Sequence, residues 1–208
     1  MALNNINLTV GKGEVCCFLG TSGSGKSTLL NMMAGLEKPT KGSIKIAGFD
    51  VEKLNEKKLA VFRQNHIGFI FQSYNLLPFS NALENVAMPL TFKGVRRKKR
   101  EKIAKEMLTA VGLGDRMNHK PSEMSGGQQQ RVGIARAFVT QPDIVFADEP
   151  TGNLDSKTSA EVMNLITETT RKNNRTLIIV THDMSVARYA DRIVHILDGD
   201  ISNIEVCS

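Results

Sequence analysis

The sequence predicts an α/β fold with a mainly parallel core sheet, and three observations support it. Short apolar runs typical of strands buried on both faces recur at Val15–Leu19, Ile67–Phe71, 144–147, 177–180 and 193–197. Three of these runs lead directly into polar residues of the kind that do chemistry. A glycine-rich segment and then a helical pattern follow the first run. In parallel sheets, ligands bind beyond the carboxyl ends of the strands, so we expect the functional residues at that edge.

The composition is that of one globular domain and excludes several other classes. The chain has 208 residues, of which 41% are hydrophobic and 23% are charged. No apolar run approaches the roughly 18 residues that a membrane helix needs. The first ten residues alternate as a strand does, which differs from a signal peptide. Cys16, Cys17 and Cys207 have no metal-ligand spacing, and we interpret the neighbouring pair as small core residues on opposite faces of a strand in a reducing compartment.

The densest positive charge lies at residues 96–100, within a chain of net charge +6. Nucleic-acid binding would favour interleaved aromatic residues, and none occur in this run. We favour a solvated helix face. The alternative is proximity to anionic lipid headgroups at the cytoplasmic face of a membrane.

The most informative motif follows the first predicted strand and fits G-x-x-x-x-G-K-[ST]. Such a loop lets backbone N–H groups surround phosphate oxygens, and the next helix points its positive end at them. Lys26 can reach the β- and γ-phosphates, and the Ser27 hydroxyl can bind Mg²⁺. The motif therefore predicts a nucleoside triphosphate site formed by Gly20, Thr21, Ser22, Gly23, Ser24, Gly25, Lys26, Ser27 and Thr28.

A second motif is the apolar strand that ends in Asp148-Glu149-Pro150. Adjacent strand residues face opposite ways, so these two carboxylates have different tasks. One can hold Mg²⁺ through water, and the other can poise a water molecule for attack on the γ-phosphate. Without the upstream loop, two solvated turn residues would be an equally good interpretation.

A third motif, Ser125-Gly126-Gly127-Gln128, opens a helix with a plausible N-cap and bare backbone N–H groups. It is a second possible anion-binding element. From physics alone, a capped structural helix would be the preferred interpretation.

Helical patterns dominate the middle of the chain, with Pro78, Pro89 and Pro121 as punctuation. The predicted helices cover residues 82–90, 98–111 and 128–139, after a first helix at 27–34 that is closed by Gly35. We expect a single domain, 1–208, with an ATPase core of residues 1–72 and 141–208 and a helical insertion at 73–140.

The ordered set GTSGSGKST, SGGQQQR, VFADEP, GNLD and THD resembles the ATP-binding cassette (ABC) family over the whole chain. The resemblance implies a P-loop ATPase that binds ATP and Mg²⁺ and works as a head-to-tail pair, in which the phosphate loop of one copy and the SGGQ element of the other enclose each ATP. It also implies an antiparallel β part near the N-terminus.

The family pattern assigns roles residue by residue. Glu149 would be the general base, and His182 would contact the γ-phosphate and hold the attacking water. Ser27 and Gln72 would approach Mg²⁺, with Asp148 supporting it. The partner's γ-phosphate would be bound by Ser125, Gly126 and Gly127, and Asp155 would lie at the dimer seam.

The segment from Phe69 to Val86 is similar to one bacterial branch of the family, which includes lipoprotein-release and macrolide-export ATPases. The resemblance implies a groove near residues 72–86 that receives a cytoplasmic helix of an integral membrane permease. It places the chain peripherally at the cytoplasmic face of the membrane and implies no nucleic-acid partner.

Two features depart from the family pattern. Met124 stands where leucine is usual, a volume-conserving change. Family members have a strand upstream with an aromatic residue that stacks on adenine, and no Tyr or Trp precedes Gly20 here. We expect a truncated chain or weak base recognition, with adenine-versus-guanine discrimination lower than in a version with the strand restored. Discrimination that is equal or better would contradict this expectation.

Two other functions are considered beside a transporter ATPase. Cassette ATPases that act on DNA or ribosomes carry coiled-coil arms, paired cassettes or metal-binding insertions, and the sequence has none. A small-molecule kinase with a phosphate loop would not need SGGQ or a carboxylate poised over water. Binding to a membrane partner tests the first alternative, and ATP turnover without an acceptor tests the second.

Overall fold

The computed structural model describes residues 3–207, and its centre is a six-stranded sheet. Its strands are β1 Val15–Leu19, β4 Ile67–Phe71, β5 Ile144–Asp148, β6 Thr176–Thr181, β7 Arg192–Leu197 and β8 Asp200–Val206. They lie in the order β4-β5-β6-β1-β7-β8. The first five strands in this order are parallel to one another, and β8 pairs antiparallel with β7 at one edge. The mainly parallel core sheet is therefore confirmed.

Burial on both faces explains why the central strands were visible as apolar runs. All residues of β1 and β6 are buried. Alternate residues of β1 belong to two different core clusters, so that Cys17 packs on one face of the sheet and Cys16 on the other. This confirms the expected arrangement of the cysteine pair.

Seven α-helices surround the sheet within the described residues. Those in the predicted regions are α1 Lys26–Met33, α3 Ala82–Phe92, α4 Arg97–Ala110 and α5 Gly126–Phe138; the others are α2 Glu56–His66, α6 Ser156–Lys172 and α7 Met184–Ala187. Asn81 begins α3 through a capping box with Glu84. Pro89 lies inside α3 and does not end it, because α3 packs along both α4 and α5.

The strand predicted for the first ten residues is wrong for the part that the structure describes, and residues 1 and 2 lie outside it. Residues 3–10 form no strand. Their alternation still has a cause, since Leu3, Ile6 and Leu8 pack against the core. Asn5 has a left-handed φ of 45°, which interrupts an extended chain.

The antiparallel β part near the N-terminus is a small separate hairpin of β2 Lys45–Ile46 and β3 Phe49–Asp50. Between residues 3 and 207, no helix combines the length and apolar character needed to cross a bilayer.

Candidate nucleotide site

The register of the parallel strands brings the predicted functional segments to one edge of the sheet. Phe71 at the end of β4 pairs with Asp148, and Asp148 pairs with Val180 in β6. Leu19 at the end of β1 pairs with Thr181. The segments that leave this edge side by side begin at Gly20, Gln72, Glu149 and His182.

The phosphate loop connects β1 to α1 in a path that requires glycine. Gly25 has φ 100°, in the left-handed region. A Cβ on Gly20 would collide with the carbonyl oxygen of Ile196. The first turn of α1 has neither a side-chain cap nor an acidic residue, so its backbone N–H groups are free for an anion.

The other predicted loop residues take different positions around this turn. Thr21, Ser22 and Ser27 are exposed, whereas Ser24 is buried and Thr28 is half-buried. The exposed hydroxyl of Ser27 stands on the first turn of α1, where a bound phosphate would lie.

Lys26 lies inside the loop with only 7% of its surface exposed. Its Nζ donates hydrogen bonds to the carbonyl oxygens of Gly20 at 2.8 Å and Thr21 at 2.6 Å. Burial lowers the pKa of this ammonium, while the charges of Glu149 and Asp148 oppose that shift. The ammonium is thus hydrogen-bonded to the loop backbone, and the negative charges of Glu149 and Asp148 favour its charged form.

The two carboxylates have different surroundings, as alternation on a strand predicts. Asp148 ends β5, where burial and then the charge of Glu149 raise its pKa while Lys26 lowers it. Glu149 follows with a left-handed φ of 44° and accepts a hydrogen bond from the Thr181 hydroxyl at 2.8 Å.

His182 meets the same carboxylate from the end of β6. Its backbone N–H donates to Glu149 Oε1 at 3.1 Å, and its ring Nδ1 lies 2.7 Å from that oxygen. The side chain of His182 is otherwise exposed. Thr181 and His182 together fix the direction of the Glu149 carboxylate.

Gln72 lies beside the turn that follows Glu149. A Cβ on Gly152 would lie 2.7 Å from Gln72 Nε2, and the side chain of Asn153 donates to the Gln72 carbonyl at 3.0 Å. The Gly152 N–H in turn donates to the Glu149 carbonyl. The structure therefore brings Gln72 to the edge of the sheet at which Glu149 lies.

The Ser125-Gly126-Gly127 element lies beside different residues. Ser125 caps α5 in a capping box with Gln128. Within residues 3–207, no hydrogen bond connects this element to the phosphate loop. Its glycines approach Tyr74 and Thr158 instead.

Asp155 caps α6 next to the SGGQ element. Its carboxylate accepts hydrogen bonds from the Thr158 hydroxyl at 2.6 Å and from the backbone N–H groups of Thr158 and Lys157. These bonds, led by that of the Thr158 hydroxyl, lower the pKa of Asp155. Gly127 and Asp155 therefore share Thr158 as a neighbour.

Two residues that contact the site were missed by the sequence analysis. Thr181 was quoted in a motif without a role. Gln130 is fully buried in α5, and its amide donates to the carbonyl oxygens of Phe71 and Pro150, at the ends of the neighbouring strands β4 and β5. In the sequence, the one signal for Gln130 is a polar side chain at a helix position that faces the core.

The fold and the site define the class of a P-loop nucleotide-binding ATPase, and comparison with known proteins defines the family. The family model described as "ABC transporter" matches residues 3–152. The chain belongs to the ABC transporter family and is an ABC ATPase.

Relatives of the chain include transporter ATPases. It is 51% identical over 199 residues to the lipoprotein-releasing system ATP-binding protein LolD of Geobacter metallireducens, covering 96% of this chain and 88% of LolD. It is 49% identical over 203 residues to the macrolide export ATP-binding/permease protein MacB of a Shewanella species, covering 98% of this chain and 31% of MacB. The similarity to the lipoprotein-release and macrolide-export branch is confirmed.

A solved structure shares the whole fold. The ATP-binding cassette MJ0796, determined as a dimer in a post-hydrolysis state with ADP and phosphate, superposes with a TM-score of 0.90 at 44% identity. The match covers 99% of this chain and 90% of that one. These relatives favour a transporter ATPase over an ATPase acting on DNA or ribosomes and over a small-molecule kinase.

Asp148 and Asp155 predict opposite effects of removing a charge. The pKa of Asp148 is raised in the folded state, so the fold favours the protonated carboxyl group. Ionising Asp148 therefore lowers the free energy of unfolding as pH rises through the folded-state pKa. Asp148→Asn should therefore raise the Tm of the nucleotide-free protein at pH 7, with the gain vanishing toward about pH 4.

The lowered pKa of Asp155 has the reverse sign, because its contribution is present above the unfolded-state pKa and lost as pH falls. Asp155→Asn should lower Tm at pH 7, and asparagine keeps the helix cap. Calorimetry from pH 7 to about pH 4 measures both variants. Shifts of the same sign at pH 7 would contradict this account.

Proposed function

We propose that this chain is the ATP-hydrolysing subunit of a membrane transporter and that it encloses ATP between two head-to-tail copies. One observation carries the proposal: the chain has two helix N-termini suited to anions, and they face different neighbours. The phosphate loop lies beside Asp148 and Glu149, and Gly127 lies beside Thr158. Two elements that do not form one site within a chain can form two equivalent sites in a pair.

In this proposal, residues 20–28 cradle the phosphates of ATP, and Lys26 supplies the positive charge. Ser125, Gly126 and Gly127 bind the γ-phosphate held by the partner copy. Asp155 lies at the seam, where its contact with Thr158 connects it to Gly127.

Glu149 is the proposed general base for the water that attacks the γ-phosphate. Its carboxylate is oriented by Thr181 and His182, which supports a fixed direction for proton transfer. The exposed ring of His182 is proposed to contact the γ-phosphate and the attacking water. Gln72, beside the turn that follows Glu149, is proposed to help orient the γ-phosphate and the attacking water.

The residues present fit a magnesium ion. Mg²⁺ prefers oxygen ligands and commonly uses one or two carboxylates with substrate phosphates. Ser27, Gln72 and Asp148 offer a hydroxyl, an amide and a carboxylate. Burial and then the charge of Glu149 raise the pKa of Asp148, so its carboxylate form is disfavoured in the free protein and a bound cation would stabilise it. Bound there, the ion neutralises charge on the phosphate oxygens.

The proposed site for the membrane permease is a groove of about 700 Å³ beside the segment after Gln72. Its lining is mostly apolar and includes Phe71, Met88 and Phe92. The groove overlaps the expected segment 72–86 at Asn75 and extends along α3. Within segment 72–86 itself, Phe79 is 90% exposed.

This assignment places the chain peripherally at the cytoplasmic face of the membrane. It also makes residues 73–140, which contain α3, α4 and α5, a helical subdomain inserted between core residues 1–72 and 141–208. The names of LolD and MacB support a membrane partner, and the lack of aromatic residues in the basic run 96–100 supports the absence of nucleic acid.

Removing the general base should trap the closed pair. Glu149→Gln is expected to lower kcat for ATP by at least about 100-fold, because general-base catalysis contributes on that order. Light scattering should show a dimer with ATP and Mg²⁺ and a monomer without ATP. Glu168→Gln, the same change at an exposed position of α6, should leave both measurements native. A Glu149→Gln chain that stays monomeric with ATP would contradict the proposal.

Charge in the groove should release the protein from the membrane. Phe92 lines the groove and is 72% exposed, so Phe92→Glu puts a negative charge on its apolar surface. We expect loss of membrane association in cells of the source organism, with the ATPase activity of the purified chain unchanged. Val206→Glu, at an apolar position of β8 that is 81% exposed, is the control and should stay membrane-bound. Equal release of both variants would refute the groove assignment.

A further inference from the structure

Arg136 is a buried cation that pairs with backbone rather than with an acid. It lies near the end of α5 and is 8% exposed. Its guanidinium donates from Nη2 to the Tyr74 carbonyl at 2.8 Å and from Nη1 to the Asn75 carbonyl at 2.5 Å. Burial lowers the pKa of Arg136, and no carboxylate in the described part of the chain opposes that shift. A charge held at this cost needs an explanation beyond packing.

The two carbonyl acceptors belong to a disfavoured turn. Tyr74 and Asn75 have φ values of 60° and 48°, both left-handed, and neither is glycine. Consecutive left-handed residues with side chains are sterically unfavourable, so the surrounding structure must hold them. The two hydrogen bonds from Arg136 fix both carbonyl groups of this turn.

The turn lies two residues after Gln72, so both belong to one short segment of backbone. The Gln72 carbonyl accepts a hydrogen bond from the side chain of Asn153. The hydroxyl of Tyr74 lies 2.8 Å from where a Cβ of Gly126 would be, at the start of the SGGQ helix. A change in the turn would therefore move Gln72 and a neighbour of Gly126 together.

Arg136 also reaches the groove proposed for the membrane permease. Arg136 and Asn75 both line it, and among its described lining residues Arg136 is the only charged one. A segment bound in the groove would touch the side chain that holds the turn.

We propose that Arg136 is a positioning residue: it holds the turn after Gln72 from the groove side and so links the groove to metal-nucleotide binding. This inference rests on the proposed function, in which Gln72 approaches Mg²⁺. It differs from a packing role because a packing role would not change metal affinity.

The test measures metal binding directly, using Mn²⁺ and a non-hydrolysable ATP analogue followed by electron paramagnetic resonance. Arg136→Met keeps the stem and removes the donors, and should weaken Mn²⁺ binding about tenfold or more, as loss of a ligand's supporting residue does. Affinity for the nucleotide in EDTA should stay native. Arg136→Lys keeps the charge, and its Mn²⁺ affinity should lie between those of the native chain and of Arg136→Met. If Arg136→Met does not fold, Arg136→Lys provides the same test.

The matched control is Arg131→Met, because Arg131 is on the same helix and bonds Val111 and Glu161 instead of the turn. Native Mn²⁺ affinity in Arg136→Met, or an equal loss in Arg131→Met, would overturn the inference. Gln72→Ala separates the two proposals. If Gln72→Ala weakens Mn²⁺ binding and Arg136→Met does not, only the inference fails. If Gln72→Ala binds Mn²⁺ as the native chain does, the proposed magnesium role of Gln72 fails and the link fails with it.

Discussion

The site depends on the buried ammonium of Lys26, which donates hydrogen bonds to two carbonyl oxygens of its own loop and lies within reach of the negative charges of Glu149 and Asp148. A buried cation is costly unless it is compensated, and here the compensation comes from two separate strands. This arrangement requires β1 and β5, which are separated in the sheet by β6, to end at nearly the same height in the sheet. The parallel register therefore fixes the distance between the phosphate loop and the carboxylates before any ligand binds.

Helix α5 connects this edge to the rest of the molecule. Its N-terminus carries the SGGQ element, and Gln130 in its second turn donates hydrogen bonds to carbonyl groups at the ends of the neighbouring strands β4 and β5. Near its end, Arg136 holds the turn after Gln72 and lines the groove. One rigid element thus contacts the proposed partner-copy surface, the catalytic edge and the proposed permease site. A movement of α5 would therefore displace residues at all three of these places, as expected of a protein proposed to couple ATP hydrolysis to a membrane partner.

The parts that the sequence predicted well are those set by local patterns. β1 and β4 were predicted to the residue because each is a continuous apolar run, fully buried in β1 and buried or half-buried in β4. The Ser125 cap predicted from the motif is confirmed at the start of α5. The helical pattern alone put the start at residue 128, two residues late, because Gly126 and Gly127 disfavour a helix. The strand predicted for the first ten residues was wrong over residues 3–10, because apolar side chains can alternate against a core even where the backbone pairs with no strand. Arg136 and Gln130 donate to carbonyl groups some 60 residues away in sequence, and no local pattern reveals these partners, although Gln130 stands out as a polar residue on the buried face of its helix. The roles of the site residues stay predictions.

Mixing two inactive chains tests the head-to-tail site most directly. Lys26→Ala removes the charge from the phosphate loop. Ser125→Asp keeps the cap on α5, since aspartate caps as well as serine, and places a negative charge where the partner's γ-phosphate would bind. The account predicts that each variant alone has no ATPase activity and that a mixture recovers activity, because a mixed pair contains one site with both native elements. A mixture of folded chains as inactive as either variant alone would contradict it.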